Sequence, residues 1–189
     1  MPRKTDRADF APASTNARVV ERSKARITRH DLARLADLAE ADLALFISRA
    51  PRARSRFRKL VLCRALCQGA ALHYIDHKNG VKDLDVYTFF RADKGKPWPY
   101  RRRGTADYGK PKFGIHPEDV GKLEGRRVDL LGRSIEKGRG ENPVDAVLRY
   151  LENQKSGTAW HLAQKAVVII EPREIRGRVI WPIGDGRRR

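Results

Sequence analysis

Cysteine is scarce in this chain. Only Cys63 and Cys67 occur among 189 residues, which excludes a disulfide framework and leaves no second pair for a four-ligand zinc site. The two lie four apart in one apolar segment, where helical spacing places them on one face, and they read as reduced core residues. Long hydrophobic runs are missing too. Stretches such as AVVII at 166–170 fall far short of the roughly 20 residues that a spanning helix needs, and the opening MPRKTDRADF has no apolar region behind its charges. The expectation is a cytoplasmic chain with no membrane partner. Aromatic residues make up 7% of the chain, and acids are outnumbered, with 23 Asp+Glu against 41 Lys+Arg giving a net charge of +18. A hydrophobic fraction of 40% still supplies one core, so wholesale disorder is excluded and the length suits one domain.

The positive charge falls in three clusters. Residues 1–30 hold eight Lys/Arg against three Asp/Glu with little hydrophobic periodicity, so residues 1–29 read as a basic disordered arm. The folded domain is expected over 30–183, with a basic tail at 184–189. Residues 49–64 carry seven basic residues and no acid. Residues 91–112 carry eight against Asp93 and Asp107, with Trp98, Tyr100, Tyr108 and Phe113 in or beside them. Cations neutralise phosphates and flat rings stack on bases, so clusters 49–64 and 91–112 are expected to meet RNA or DNA. The plainer alternative is a basic surface whose aromatics cover the core.

Periodicity then orders the elements. HDLARLADLAEADLALFISRA repeats apolar residues at helical spacing, with Asp31 near its start and Pro51 beyond its end. RFRKLVLCRALCQGAALHYID reads as a helix or strand through Leu66, a tight turn at Gly69 and a short helix through Tyr74. HKNG is a turn, VKDLDVYTFF a half-buried strand, and 91–121 a long loop with one strand near Lys112 to Ile115. RRVDLLGRSI is a second strand. NPVDAVLRYLENQ is a helix with Asn142 as N-cap and Pro143 at its first position. TAWHLAQKA is a shorter helix, and VVIIEP and GRVIWP are strands. The mixture predicts an α/β or α+β domain, a small mixed sheet with flanking helices.

Three carboxylates carry the chemistry. Asp83 and Asp85 are two apart, so on a strand both project from one face. Asp129 sits between Val128 and Leu130 on the second strand. Paired carboxylates suit a hard cation such as Mg2+ or Mn2+, which takes oxygen ligands and shares them with substrate phosphates. Three from adjacent strands suit two ions that activate a hydroxyl and stabilise a leaving phosphate oxygen. The plainer alternative pairs these acids with Lys82, Arg126 and Arg127.

Gly69-Ala70, then Asp83-Leu84-Asp85-Val86, then Val128-Asp129-Leu130 resembles the polymerase-beta-type nucleotidyltransferase superfamily, including bacterial members. The resemblance spans about residues 60–135. It implies a small mixed sheet with helices on one side, a divalent-metal triad and a nucleoside triphosphate (NTP) donor. It assigns Asp83, Asp85 and Asp129 as metal ligands and catalytic residues, with Asp129 the base. Gly69 becomes the turn whose backbone approaches the phosphates, Ala70 brings its N–H at the helix start, and Lys82 adds a nearby cation. Ala70 departs from the Gly or Ser usual at its position. The implied activity is nucleotidyl transfer to a hydroxyl, with nucleic acid as acceptor; the rival is a non-catalytic nucleic-acid-binding module.

The other candidates carry less. His73, His77, His116 and His161 form no compact metal-ligand spacing and are expected to be structural. Arg133 and Lys137 are cations beyond Asp129, and Glu171 is a rival third acid at a strand end. Gly132, Gly138 and Gly140 lack the Gly-Lys-Ser/Thr ending of a P-loop.

Overall fold

The computed structural model describes residues 18–99 and 103–182. Helix α1 (Arg29–Ser48) starts at a capping box: the Asp31 N–H is held by the Thr28 hydroxyl, and the Asp31 carboxylate accepts from the Thr28 N–H at 2.6 Å. Its Leu32, Leu35, Ala36, Ala39, Leu43 and Phe46 are buried, as their spacing requires. Pro51 does stop α1, but it also opens a short helix, α2 (Pro51–Arg54), as the N1 residue.

After a 3-10 segment the chain enters β1 (Val61–Cys67) and passes directly into α3 (Gln68–Asp76). Strand, not helix, resolves the open reading through Leu66. β1 lies inside the sheet with both faces covered, so its apolar run is nearly continuous and shows no alternation. There follow β2 (Leu84–Arg91), β3 (Arg103–Asp107), β4 (Arg127–Ile135), α4 (Pro143–Asn153), α5 (Gly157–Ala163), β5 (Ala166–Glu171) and β6 (Val179–Trp181). The six strands form one sheet in the order β3-β4-β2-β1-β5-β6. β2 and β4 are parallel and every other neighbouring pair is antiparallel. The expected mixed sheet with flanking helices is therefore present.

The helices cover both faces, which corrects the one-sided arrangement that the resemblance implies. α1 and α3 pack on Leu66, Val86, Leu130 and Val168. α4 and α5 pack on Ala65, Tyr87, Val167 and Ile169, the residues that alternate to the other side. α4 begins as its sequence directs, with the Asn142 side chain accepting from the Val144 N–H at 2.8 Å. None of the helices among the described residues is long and apolar enough to cross a membrane.

Two boundaries differ from expectation. The strand in the 91–121 stretch is β3, not Lys112 to Ile115; Pro111 and Gly114, whose φ is +65°, bend the latter segment into a turn. The folded domain also begins before His30. Val20 and Ile115 share a backbone hydrogen bond at 2.9 Å, Ser23 and Val81 exchange two at 2.9 and 2.8 Å, and Ile27 is buried. Residues 1–17 of the expected arm and the expected tail at 184–189 lie outside the described residues.

The aromatics of the third basic cluster belong to the core. Trp98 stacks on Phe90 with ring centroids 4.1 Å apart and a 9° angle, and a Cβ at Gly132 would stand 1.8 Å from its indole nitrogen, so only glycine fits there. Phe113 is buried, and the buried Tyr108 donates its hydroxyl to Asp31 at 2.6 Å. These three rings cover the core instead of facing a base; Tyr100 lies outside the described residues.

Candidate active site

Register brings distant residues to one edge of the sheet. Cys67, at the end of β1, pairs with Asp85 at the start of β2, and Asp85 pairs with Asp129 at the start of β4. The β1–α3 junction and all three aspartates therefore share the same edge. Gln68 takes the left-handed bend, with φ 61°, a conformation that costs a non-glycine residue about 1 kcal/mol. The turn expected at Gly69 is thus displaced by one residue, and Gly69 lies in the first turn of α3. Beyond its chain neighbours and the backbone of its own helix, no atom lies within 4 Å of where its Cβ would stand. Packing does not demand glycine here; the missing side chain widens a cavity.

That cavity, of about 270 Å³, is lined by Gly69, Ala70, Lys82, Asp83 and Asp85, together with Gln68, Arg22 and Lys165. Five residues singled out in the sequence thus meet in one place. α3 has no side-chain cap on its N-terminus, so the amides of its first turn have no intrahelical partner. Burial, followed by the negative charges of Asp83 and Asp129, pushes the Asp85 carboxyl up to about 7, against an opposing pull from Arg103 and Lys165.

Asp129 is placed differently from expectation. It is 1% exposed, does not line the cavity, and is ion-paired with Arg103. Arg103 lies opposite Leu131, two residues along β4 on the Asp129 face, so its side chain reaches across diagonally. Among the described residues no group of three or more His, Cys, Asp or Glu side chains is arranged to hold a metal ion. Of the three expected ligands, Asp83 and Asp85 line the cavity, and Asp129 lies opposite Asp85 on the neighbouring strand, paired with Arg103.

The plainer pairing of these acids is also not what forms. Arg127 pairs with Asp119. Arg126 is 0% exposed and donates to four backbone carbonyls: Val20 at 2.8 Å, Glu21 at 3.1 Å, Lys82 at 2.9 Å and Phe113 at 2.7 Å. One guanidinium thereby fastens the 20–21 segment, the approach to β2 and the 113 turn together. Lys82, Arg22 and Lys165 form no ion pair among the described residues.

Cluster 49–64 lies elsewhere. Six of its seven basic residues precede β1, and only Arg64 lies in the strand, three residues or roughly 10 Å short of the site end at Cys67. Glu171, the rival third acid, pairs with Arg64 toward that far end. The histidines are structural where their bonds are defined: buried His73 accepts from the Gly80 N–H at 3.0 Å and donates to the Ala25 carbonyl at 3.2 Å, while His116 caps a 3-10 turn. Cys63 and Cys67 are free and buried, as expected. Arg133 lines a separate cavity and Lys137 donates to Gly138.

Sequence reasoning missed Arg22, Arg103 and Lys165, and gave Arg126 carboxylate partners where it takes backbone carbonyls. Nothing in the dipeptide Arg126-Arg127 tells which guanidinium turns inward. Comparison with known protein families, curated proteins and solved structures finds no match to this chain.

Proposed function

We propose that this edge of the sheet is the active site of a metal-dependent nucleotidyltransferase that moves a nucleoside monophosphate from an NTP to a hydroxyl, with nucleic acid as the acceptor. One observation carries the reading: Gly69 and Ala70 line the same cavity as Lys82, Asp83 and Asp85, although 12 residues separate Ala70 from Asp83. A divalent ion fits the donor set. Asp83 and Asp85 line one cavity, and burial, followed by the charges of Asp83 and Asp129, raises the Asp85 carboxyl. Asp83 and Asp85 would hold Mg2+ or Mn2+, with substrate phosphates completing the ligands. Bound there, the ion supplies charge neutralisation for the phosphates.

The chain's own groups do the rest. The first-turn amides of α3 and the cations Lys82, Arg22 and Lys165 attract the triphosphate, and the bare Gly69 leaves room for its close approach. Asp129, paired with Arg103, adds negative charge beside Asp85 without entering the cavity. The acceptor oxygen bonds to the α-phosphorus as the bond to the pyrophosphate oxygen breaks. Pyrophosphate leaves, and the hydroxyl proton passes to water.

A second reading, a non-catalytic nucleic-acid-binding module on a transferase-like fold, is favoured by the engagement of Asp129 with Arg103. Transfer from each α-labelled NTP to total RNA and protein, with Mg2+ or Mn2+, separates the two. Label with the wild type that disappears in Asp83→Asn supports the transferase. Oligonucleotide binding without label from any donor supports the module.

A further inference from the structure

A second cavity, of about 230 Å³, adjoins the first through Arg22, which lines both. Its other cations are Arg18, Lys24 and Lys112. Arg18, Val20, Arg22, Ser23, Lys24 and Ala25 line it, while Glu21, the one acid among residues 18–24, does not, and the Lys24 ammonium donates to the Lys78 carbonyl. Lys112 is paired with Asp31, and among the described residues no carboxylate pairs with Arg18, Arg22 or Lys24. The segment is also fixed in place. Val20 and Ser23 pair with Ile115 and Val81, and the buried Arg126 holds the carbonyls of Val20 and Glu21.

We propose that Arg18, Arg22 and Lys24 form a phosphate track along which a nucleic-acid strand reaches the Asp83/Asp85 cavity. The chain bends at Glu21 and Arg22, which gathers Arg18 and Lys24 round the second cavity while Arg22 stands between it and the first. A strand presents one phosphate per nucleotide and so supplies phosphates to both adjoining cavities, whereas a triphosphate bound at Asp83 and Asp85 occupies the first. The track rests on the transferase reading only in naming the strand as acceptor; the binding itself needs no turnover.

The test is the salt dependence of binding to a fluorescent single-stranded RNA 12-mer, without NTP or metal, for wild type, Arg18→Ala/Lys24→Ala and Arg52→Ala/Arg58→Ala. The last pair removes the same charge at the opposite end of the sheet. Each lost phosphate contact lowers the slope of log K against log salt by about 0.7, so the first variant loses about 1.4 and the second keeps the wild-type slope. Equal losses in both variants, or a loss only in the second, overturn the track. If the wild type transfers label, the first variant raises the KM for the oligonucleotide about tenfold and leaves that for NTP unchanged; the reverse pattern reassigns these cations to the triphosphate and overturns the proposal. A wild type that transfers nothing yet shows the predicted slopes refutes the transferase reading and leaves the track standing.

Discussion

The two ends of the sheet carry similar sequence charge and use it in opposite ways. Around the start of β1, three of the seven basic residues of 49–64 are matched to acids, Arg56 to Asp93, Arg58 to Glu40, and Arg64 to both Glu40 and Glu171, while Arg54 lies over the Phe46 ring at 4.2 Å. Where β1 ends, Arg22, Lys82 and Lys165 surround a cavity that also holds Asp83 and Asp85, and none of the three is ion-paired among the described residues. A dense basic run in sequence is thus no measure of available charge, because its acids arrive from distant positions. The cations left for a ligand come singly, from three separate segments.

Substitutions at each end sharpen that contrast. The largest effect is expected at the site: Asp83→Asn lowers transfer by a factor of about 100 or more, the scale of losing a key electrostatic group, with circular dichroism unchanged. Next comes Arg126→Met, which leaves four buried carbonyls without their donor. At about 1 kcal/mol or more for each orphaned group, it lowers the melting temperature by roughly 10 °C, at about 2–4 °C per kcal/mol for a chain this size, and raises proteolytic cleavage near residues 18–24.

Asp85→Asn gives a smaller stability effect with a defined sign. Burial, with the charges of Asp83 and Asp129, pushes the folded carboxyl up to about 7 from an ordinary 3.8, so the folded state holds its proton more tightly. Stability from this group is full below about pH 4 and is lost as pH rises through 7. The variant is therefore expected to melt several degrees higher than wild type at pH 8 and equal to it at pH 4. Asp31 runs the other way: burial alone would raise it, but bonds from Lys112, Tyr108 and Thr28 outweigh burial and hold it at about 2. Asp31→Asn destabilises at pH 7, and the difference shrinks as pH falls from about 4 toward 2. The smallest effect belongs to the far end, where Arg58→Ala breaks an exposed pair and changes stability by about 0.5 kcal/mol or less, without altering transfer.

The sequence is legible where one face of an element dominates. α1 and α4 follow directly from apolar spacing and caps, and β2 from its β-branched and aromatic residues, although it is buried nearly throughout instead of on one face because β4 and β1 flank it and helices cover both sides. Strand period suggests that Asp83 and Asp85 share a face; β2 opens only at Leu84, with Asp83 just before it, yet both acids line the cavity, and Gly69 falls one residue past the bend at Gln68. What sequence does not carry is partnership across the sheet. Arg103 taking Asp129 depends on register between strands, Glu40 taking Arg64 on how α1 packs against the sheet, and Arg126 turning inward on a segment more than 100 residues away in the chain. The rings at Trp98, Tyr108 and Phe113 misled for a related reason: their basic neighbours in sequence suggest a surface, while their partners Phe90 and Asp31 lie in the core.

The central claim is that Asp83 and Asp85 form a divalent-cation site completed by triphosphate. Mn2+ titration followed by electron paramagnetic resonance, with and without a non-hydrolysable NTP, tests it most directly. The account predicts that the nucleotide tightens Mn2+ binding by the wild-type protein and that Asp83→Asn and Asp85→Asn both abolish the gain. Mn2+ binding equally strong in both variants, or unaffected by the nucleotide, would contradict it.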